Sequence, residues 1–386
     1  MISSESGAGI IGHGCTPYEK RPSRTEFAYL AEAARAALAR AGVDKSEVDG
    51  LHLSSSTIAP ENAVTTAEHL GLELSWAHVS TSASAGSVAG VMDALRAIED
   101  GAASYVLCLA GGAQDLAFFR ERMTRFNSSI TDYVLPHGFG GLNGMFGIVM
   151  RKHMETYGTT REQLGRIAVD IRTNALLNEQ ALLRTPLTLD DYLQAPVIAD
   201  PIRLYDCCLP CSGAEAVLLG PLDRVPAAKR VRILAGRQRH NHPTLEVAPL
   251  RGGWELFRED LYQDAGLGPE EMDFLQAYDD YPVMVAIQIE DLGFCPKGEV
   301  GPFLERHTMT FDGSFPLNTG GGQLSMGQSG GGGGLVGVVE AVRQLRCEAG
   351  PRQVDGASRG LISGYGMVGY GHGLSASAIV VAGGDA

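Results

Sequence analysis

The chain has 386 residues, of which 44% are hydrophobic and 20% charged, and a formal net charge of −14. The length suits two ordinary domains sharing one core. The acidic balance argues against a nucleic-acid surface, which needs a concentrated basic footprint, and no apolar run approaches the ~20 residues that cross a bilayer. Glycine stands out at 50 residues, about twice ordinary usage, without a collagen period. The opening MISSESGAGIIGHG lacks the basic start and apolar core of a signal peptide. Seven cysteines, an odd number without a framework of spacings, read as reduced thiols. A cytoplasmic protein is therefore expected.

In chain order, GIIGHG (9–14) predicts a strand, residues 24–42 an amphipathic helix, and DGLHLSS (49–55) a second strand. STSASAGSVAG (80–90) is a loop at the mouth of a glycine-tolerant helix. A helical insertion follows at about 115–200, including residues 146–158, 160–178 and the capped TLDDYLQ (188–194). Such an insertion reads as a lid over a site. Its LPHGFGGLNG stretch carries His137, which either reaches that site or is an ordinary loop residue. YDCCLPCSGAEAV (205–217) holds a C-x-x-C, but no second pair or nearby His completes a metal site. Cys207 and Cys208 are expected in a buried strand, where cysteine acts as a small hydrophobe. His240 and His242 lack a third ligand and read as surface. The run Gly330–Gly334 has no Lys-Ser/Thr after it, so it is no phosphate-binding loop.

Three pairs of segments echo each other in the same order: 41–53 with 265–277, 90–98 with 337–345, and 103–112 with 357–366. Each pair repeats, in turn, a helix end leading into a strand, an apolar helix, and a strand running into glycine. One unit of about 150 residues is duplicated, and its alternation of strand and helix implies a mostly parallel sheet covered by helices.

DPIRLYDCCLPCSGAEAVLL (200–219), EDLGFCPKGEVGPF (290–303) and FPLNTGGGQLSMGQ (315–328), with the duplication and the insertion, resemble the thiolase superfamily. The likeness is nearest its sterol-carrier-protein and lipid-transfer branch. It implies a thiolase-like α/β fold, two halves stacked in five αβαβα layers with two buried central helices. The halves would be 1–228, including the insertion, and 229–386. In such enzymes a cysteine opens the first buried helix, where the dipole and backbone N–H groups activate it. Matching the motif's glycine to Gly86 puts Ala83 at that position, and another register offers Ser82 or Ser84. The family's later histidines and second cysteine are matched by Tyr278 in YDDYP, by Gln328, and by Tyr370 or Tyr365 in GYGMVGYGHGLS. Cys295 and Cys347 match no catalytic motif, and Tyr281 follows a core aromatic position.

The loops that supply oxyanion donors keep their amides and glycines, with Ala83 and Ser84 on one side and Asn318, Gly322 and Gln328 on the other. A site that polarises a thioester without a nucleophile suits chemistry through an enolate. The pattern resembles the thiolase-like aldolases of steroid side-chain degradation. That likeness implies retro-aldol cleavage of a β-hydroxyacyl-CoA, a 17-hydroxy-steroid-20-carboxyl-CoA, to a 17-keto steroid and propionyl-CoA. It also implies a homodimer, a separate small OB-fold partner of the acyl-CoA-associated type, and no metal or cofactor beyond the CoA thioester. Tyr278 is expected to donate or orient a proton, since Asp279 and Asp280 oppose a phenolate, with Tyr370 or His372 as base and Tyr365 either in the site or capping a strand. The alternatives are a non-catalytic acyl-CoA- or lipid-binding subunit and an acyltransferase with an atypical nucleophile.

Overall fold

A computed structural model describes residues 7–55, 57–138, 141–241, 248–330, 333–369 and 372–384. The first half runs β1 (Ala8–Cys15), α1 (Glu26–Ala41), β2 (Gly50–Ser54), α2 (Ala63–Leu70), β3 (Trp76–Ser80), α3 (Ala83–Glu99) and β4 (Val106–Gly112). Thr25 starts α1 by accepting the Ala28 N–H, and Gly42 ends it in the left-handed conformation. Five helices then fill the expected insertion: α4 (Leu116–Met123), α5 (Ser128–Thr131), α6 (Gly141–Tyr157), α7 (Arg161–Leu176) and α8 (Leu189–Gln194). A two-stranded ribbon, β5 (Val197–Ala199) with β6 (Ile202–Arg203), leads on to β7 (Gly213–Pro221). The second half comprises β8 (Val231–His240), α9 (Arg258–Ala265), β9 (Phe274–Gln276), α10 (Pro282–Asp291), α11 (Val300–Arg306), α12 (Gly322–Met326), α13 (Gly333–Leu345), β10 (Arg359–Gly369) and β11 (His372–Gly383).

The strands lie in the order β3-β2-β4-β7-β1-β8-β11-β10-β9. From the outside inward, β2-β4-β7-β1 is matched by β9-β10-β11-β8. The pairing senses agree as well: β2 is parallel to β4 and β9 to β10, and the other contacts within these two sets are antiparallel, so that even with the edge pair β2–β3 parallel the sheet is not the mostly parallel one expected. The echoed segments of the sequence fall on β2 and β9, on α3 and α13, and on β4 and β10. Where two separate sheets were expected, a single pair, Ile10 with Val231, joins them into one. They diverge beyond it because each half-sheet packs on its own side of a shared helical layer.

That layer is α3 and α13, which touch each other and strands of both halves. Val88, Val91, Met92 and Leu95 of α3 and Leu335, Val338, Val339 and Val342 of α13 are all buried. They form one cluster with Val106, Val217, Ile362 and Ile379, each contributing ~1.5–3 kcal/mol by burial. α1 covers the outer face of β1, β7 and β4, while α9 covers β8 and β11. The layers are thus helix, sheet, helix, sheet, helix. Among the described residues no helix is long and apolar enough to cross a membrane.

Candidate active site

The loop after β9 meets the start of α12 and the segments before β7 and α13, while β10 packs on the first turn of α3. β3 ends at Ser80, and three residues later Ala83 takes φ 50 as it enters α3. A left-handed alanine persists only where its neighbours impose it. Here the constraint is β10: a Cβ on Gly366 would lie 2.4 Å from the Ser82 carbonyl oxygen and 2.8 Å from the Ala83 Cβ. Only glycine admits so close an approach. Ser84 is 3% exposed and follows directly. The mouth of a 17-residue helix thus faces the site with N–H groups that lack intrahelical partners and with the positive end of its dipole.

β9 runs out into Ala277-Tyr278-Asp279-Asp280. Asn318, left-handed at φ 45, accepts the Ala277 N–H (2.7 Å) and donates to the Ala277 carbonyl (2.9 Å). Its amide is therefore occupied in tying two loops together. Asp279 turns away from the Tyr278 hydroxyl and caps α12, accepting from the Gln323 and Leu324 N–H groups at 2.7 and 3.2 Å. Gly322, at φ 51, leaves room for that carboxylate, since a Cβ there would lie 1.9 Å from Asp279 Oδ2. Burial raises Asp279 to about 6 against the pull of these N–H groups.

Asp280 is the hub. The Tyr278 hydroxyl donates to its Oδ2. Gln328 Nε2 donates to Oδ1 at 2.8 Å, and the Cys208 thiol to the same oxygen at 3.8 Å. Burial lifts Asp280 to about 7, with the negative charge of Asp279 adding to the rise and the bonds from Tyr278 and Cys208 opposing it. The Tyr278 phenol is held well above its usual range by burial first and by Asp280 second, so it stays protonated and donates. Cys208 is pushed up in the same way, by burial and then Asp280. One carboxyl poised near neutrality, ringed by three proton-bearing groups, can accept and return a proton.

The Tyr278 ring is 6.3 Å from that of Tyr365, which lies 5.2 Å from Trp254. Tyr365 is 3% exposed, and its hydroxyl accepts the Gly373 N–H at 2.7 Å, bracing the β10–β11 hairpin. His372, half-buried, opens β11 opposite Gly369. Tyr370 lies outside the described residues, as does His242. His137 is exposed in the turn Leu135–His137, and His240 is exposed at the end of β8. Tyr281 is buried, stacked on Phe146 with its hydroxyl donating to Asn143. Among the described residues no group of three or more His, Cys, Asp or Glu could hold a metal ion.

Cys207 and Cys208 are not in a strand as expected. They are half-buried after the 3₁₀ turn Leu204–Asp206, and the strand begins only at Gly213. Pro210 follows two residues later, and without an N–H it cannot join a ladder as a donor. This irregular segment runs beside the one carrying Gln328, whose N–H donates to the Leu209 carbonyl (2.8 Å) and whose carbonyl accepts from Cys211 (3.0 Å). Sequence reasoning missed Asp280 as a hub and Cys208 as its neighbour. The doubled acid after Tyr278 and the doubled cysteine were the available signals. It also missed Gln323, which is 1% exposed with neither amide atom hydrogen-bonded among the described residues.

Residues 258–380 match the family model of the thiolase C-terminal domain-like proteins. Over 90% of this chain and 92% of the relative, the sequence is 30% identical to the 17-hydroxy-3-oxo-4-pregnene-20-carboxyl-CoA lyase of Mycobacterium tuberculosis. This chain belongs to the thiolase superfamily. Among other superfamily members, a steroid side-chain-cleaving aldolase of Thermomonospora curvata is 29% identical over 88% of this chain and 90% of its own. The solved Ltp2–ChsH2(DUF35) aldolase superposes with a TM-score of 0.86 at 26% identity, covering 99% of both chains. The fold is thiolase-like, and the branch is the one that holds these aldolases.

Proposed function

We propose that this chain is an acyl-CoA aldolase, a carbon–carbon lyase that cleaves a β-hydroxyacyl-CoA by a retro-aldol reaction. Its substrate is a 17-hydroxy-steroid-20-carboxyl-CoA, and its products are a 17-keto steroid and propionyl-CoA. The observation that carries the reading is the Tyr278–Asp280 pair, set beside Tyr365 of the strand whose Gly366 packs on Ser82 and Ala83 at the start of α3; by the resemblance, Ala83 stands at the position of a thiolase's nucleophile. Thioester polarisation is retained there while covalent catalysis is not.

The Tyr278–Asp280 pair removes the proton of the β-hydroxyl. A phenol alone is a poor base near pH 7, and the carboxyl at about 7 meets that need, while Tyr278 orients the hydroxyl. The bond between the α- and β-carbons then breaks, the hydroxyl-bearing carbon becomes a ketone, and the electron pair passes into the thioester enolate. Backbone N–H groups at the mouth of α3 bind the enolate oxygen. The active assembly is a homodimer joined by a separate small OB-fold partner; the DUF35 companion named with the structural relative supports the partner.

The test uses the full chain, alone and with such a companion, and the steroid β-hydroxyacyl-CoA. Propionyl-CoA and the 17-ketone formed in equal amounts without free CoA support the aldolase. Release that requires added CoA means thiolysis and overturns it. Tight binding without turnover would instead make this a non-catalytic acyl-CoA-binding subunit.

A further inference from the structure

We infer that Cys208 is the acid that protonates the α-carbon of the enolate, and that Asp280 reloads it. The inference rests on the aldolase reading above and completes its proton balance.

Cleavage leaves one proton on the Tyr278–Asp280 pair and one carbanion equivalent on the α-carbon, so a group must carry a proton to carbon. Tyr278 donates to Oδ2 of Asp280, whereas Cys208 meets Oδ1, the other oxygen of the same carboxyl. The carboxyl therefore lies between the hydroxyl that orients the β-oxygen and a thiol on its far side. Cys208 is half-buried, and the thiol of its neighbour Cys207 donates instead to Asn143 Oδ1 at 3.7 Å. The Cys208 position is fixed: the 208–211 segment is held to the Gln328 segment by backbone bonds in both directions, and the Gln328 side chain reaches the same carboxyl oxygen. The thiol stays protonated in this setting, burial and the adjacent carboxyl both opposing thiolate, so it is an acid at rest and not a nucleophile.

The electrons and protons close. The β-hydroxyl gives its proton to the carboxylate as the carbon–carbon bond breaks to ketone and enolate. The enolate's α-carbon bonds to the proton of the Cys208 S–H, whose bonding pair stays on sulfur as thiolate. Protonated Asp280 then returns its proton to that thiolate. The net change is transfer of one proton from oxygen to carbon, with no oxidant or external acid.

The test isolates the carbon-protonation half-reaction. The full chain is incubated with propionyl-CoA in D₂O, and exchange at the α-carbon is followed by mass spectrometry for wild type, Cys208→Ala and Cys208→Ser, beside cleavage of the steroid thioester. Loss of a positioned acid lowers exchange by ~100-fold or more in Cys208→Ala, with propionyl-CoA affinity and the unfolding midpoint retained. Cys208→Ser, which keeps the shape, shows a smaller loss. Exchange in both variants within about threefold of wild type overturns the role of Cys208 and leaves the aldolase intact if cleavage proceeds. A wild-type protein that neither exchanges nor cleaves overturns both. Loss of folding in Cys208→Ala shifts the decision to the serine variant, in which undiminished exchange refutes the proposal.

Discussion

Replacing Asp280 with asparagine separates what the site does from what it costs. The Asp280 side chain is 9% exposed and titrates near 7 in the folded chain, whereas an unfolded aspartate releases its proton near ~3.9. Between those values the folded protein binds more protons than the unfolded one, so stability falls as pH rises. By linkage the ionised carboxylate opposes folding by about 4 kcal/mol above pH 7, and about 2–3 kcal/mol of that accrues between pH 5 and pH 8. Asparagine has the same size and never ionises. Urea unfolding at both pH values should therefore show the stability of Asp280→Asn, measured against wild type, improving by about 2–3 kcal/mol at pH 8 relative to pH 5. Easing of Asp279, which feels the same charge, acts in the same direction. Cleavage at pH 8 should fall by ~100-fold or more. A stability difference that is the same at both pH values within about 0.5 kcal/mol would refute the assignment of a buried, near-neutral carboxyl.

Tyr278→Phe keeps the ring beside Tyr365 but removes the donor to Asp280; turnover should drop ~100-fold while stability changes by only ~1 kcal/mol, as read by kinetics beside thermal unfolding. Gly366→Ala places a methyl group against Ser82 and Ala83 and should destabilise by ~1–3 kcal/mol, whereas Ala83→Gly, which suits the left-handed backbone, should stay within ~1 kcal/mol of wild type; the reverse order in denaturant unfolding would show that β10 does not shape the helix mouth. Gln323→Met removes a buried amide that has no partners among the described residues and should stabilise by ~1–3 kcal/mol; a loss of stability would mean that the amide is satisfied in solution.

The fold was readable because it is written twice. Helical periodicity in 90–98 and 337–345 and the strand-to-glycine runs at 103–112 and 357–366 are local signals, and their common order carried the topology. The helix mouth was legible for the same reason: a glycine-bounded loop ahead of a small-residue helix leaves a mark in the sequence. Asp280 was instead read as a charge that would merely oppose a phenolate. Its partners Cys208 and Gln328 lie on segments 72 and 48 residues away, and their meeting is set by how the loop before β7 threads beside the loop before α13. No local pattern encodes that encounter. Asn318 and Asp279 show the converse: each has a residue type suited to chemistry, yet each is occupied by backbone groups that only the folded chain brings near.

Residue 83 holds a backbone shape for which alanine itself has no use. Since Gly366 of β10 packs directly against Ser82 and Ala83, the holder exists independently of the tool. Whatever side chain is installed there will be presented at the same point and in the same direction, so a thiol, a hydroxyl or nothing reactive at all can be mounted without re-machining the surrounding frame. For an engineer, position 83 is a socket whose side chain can be exchanged by one substitution while the surrounding backbone stays where it is.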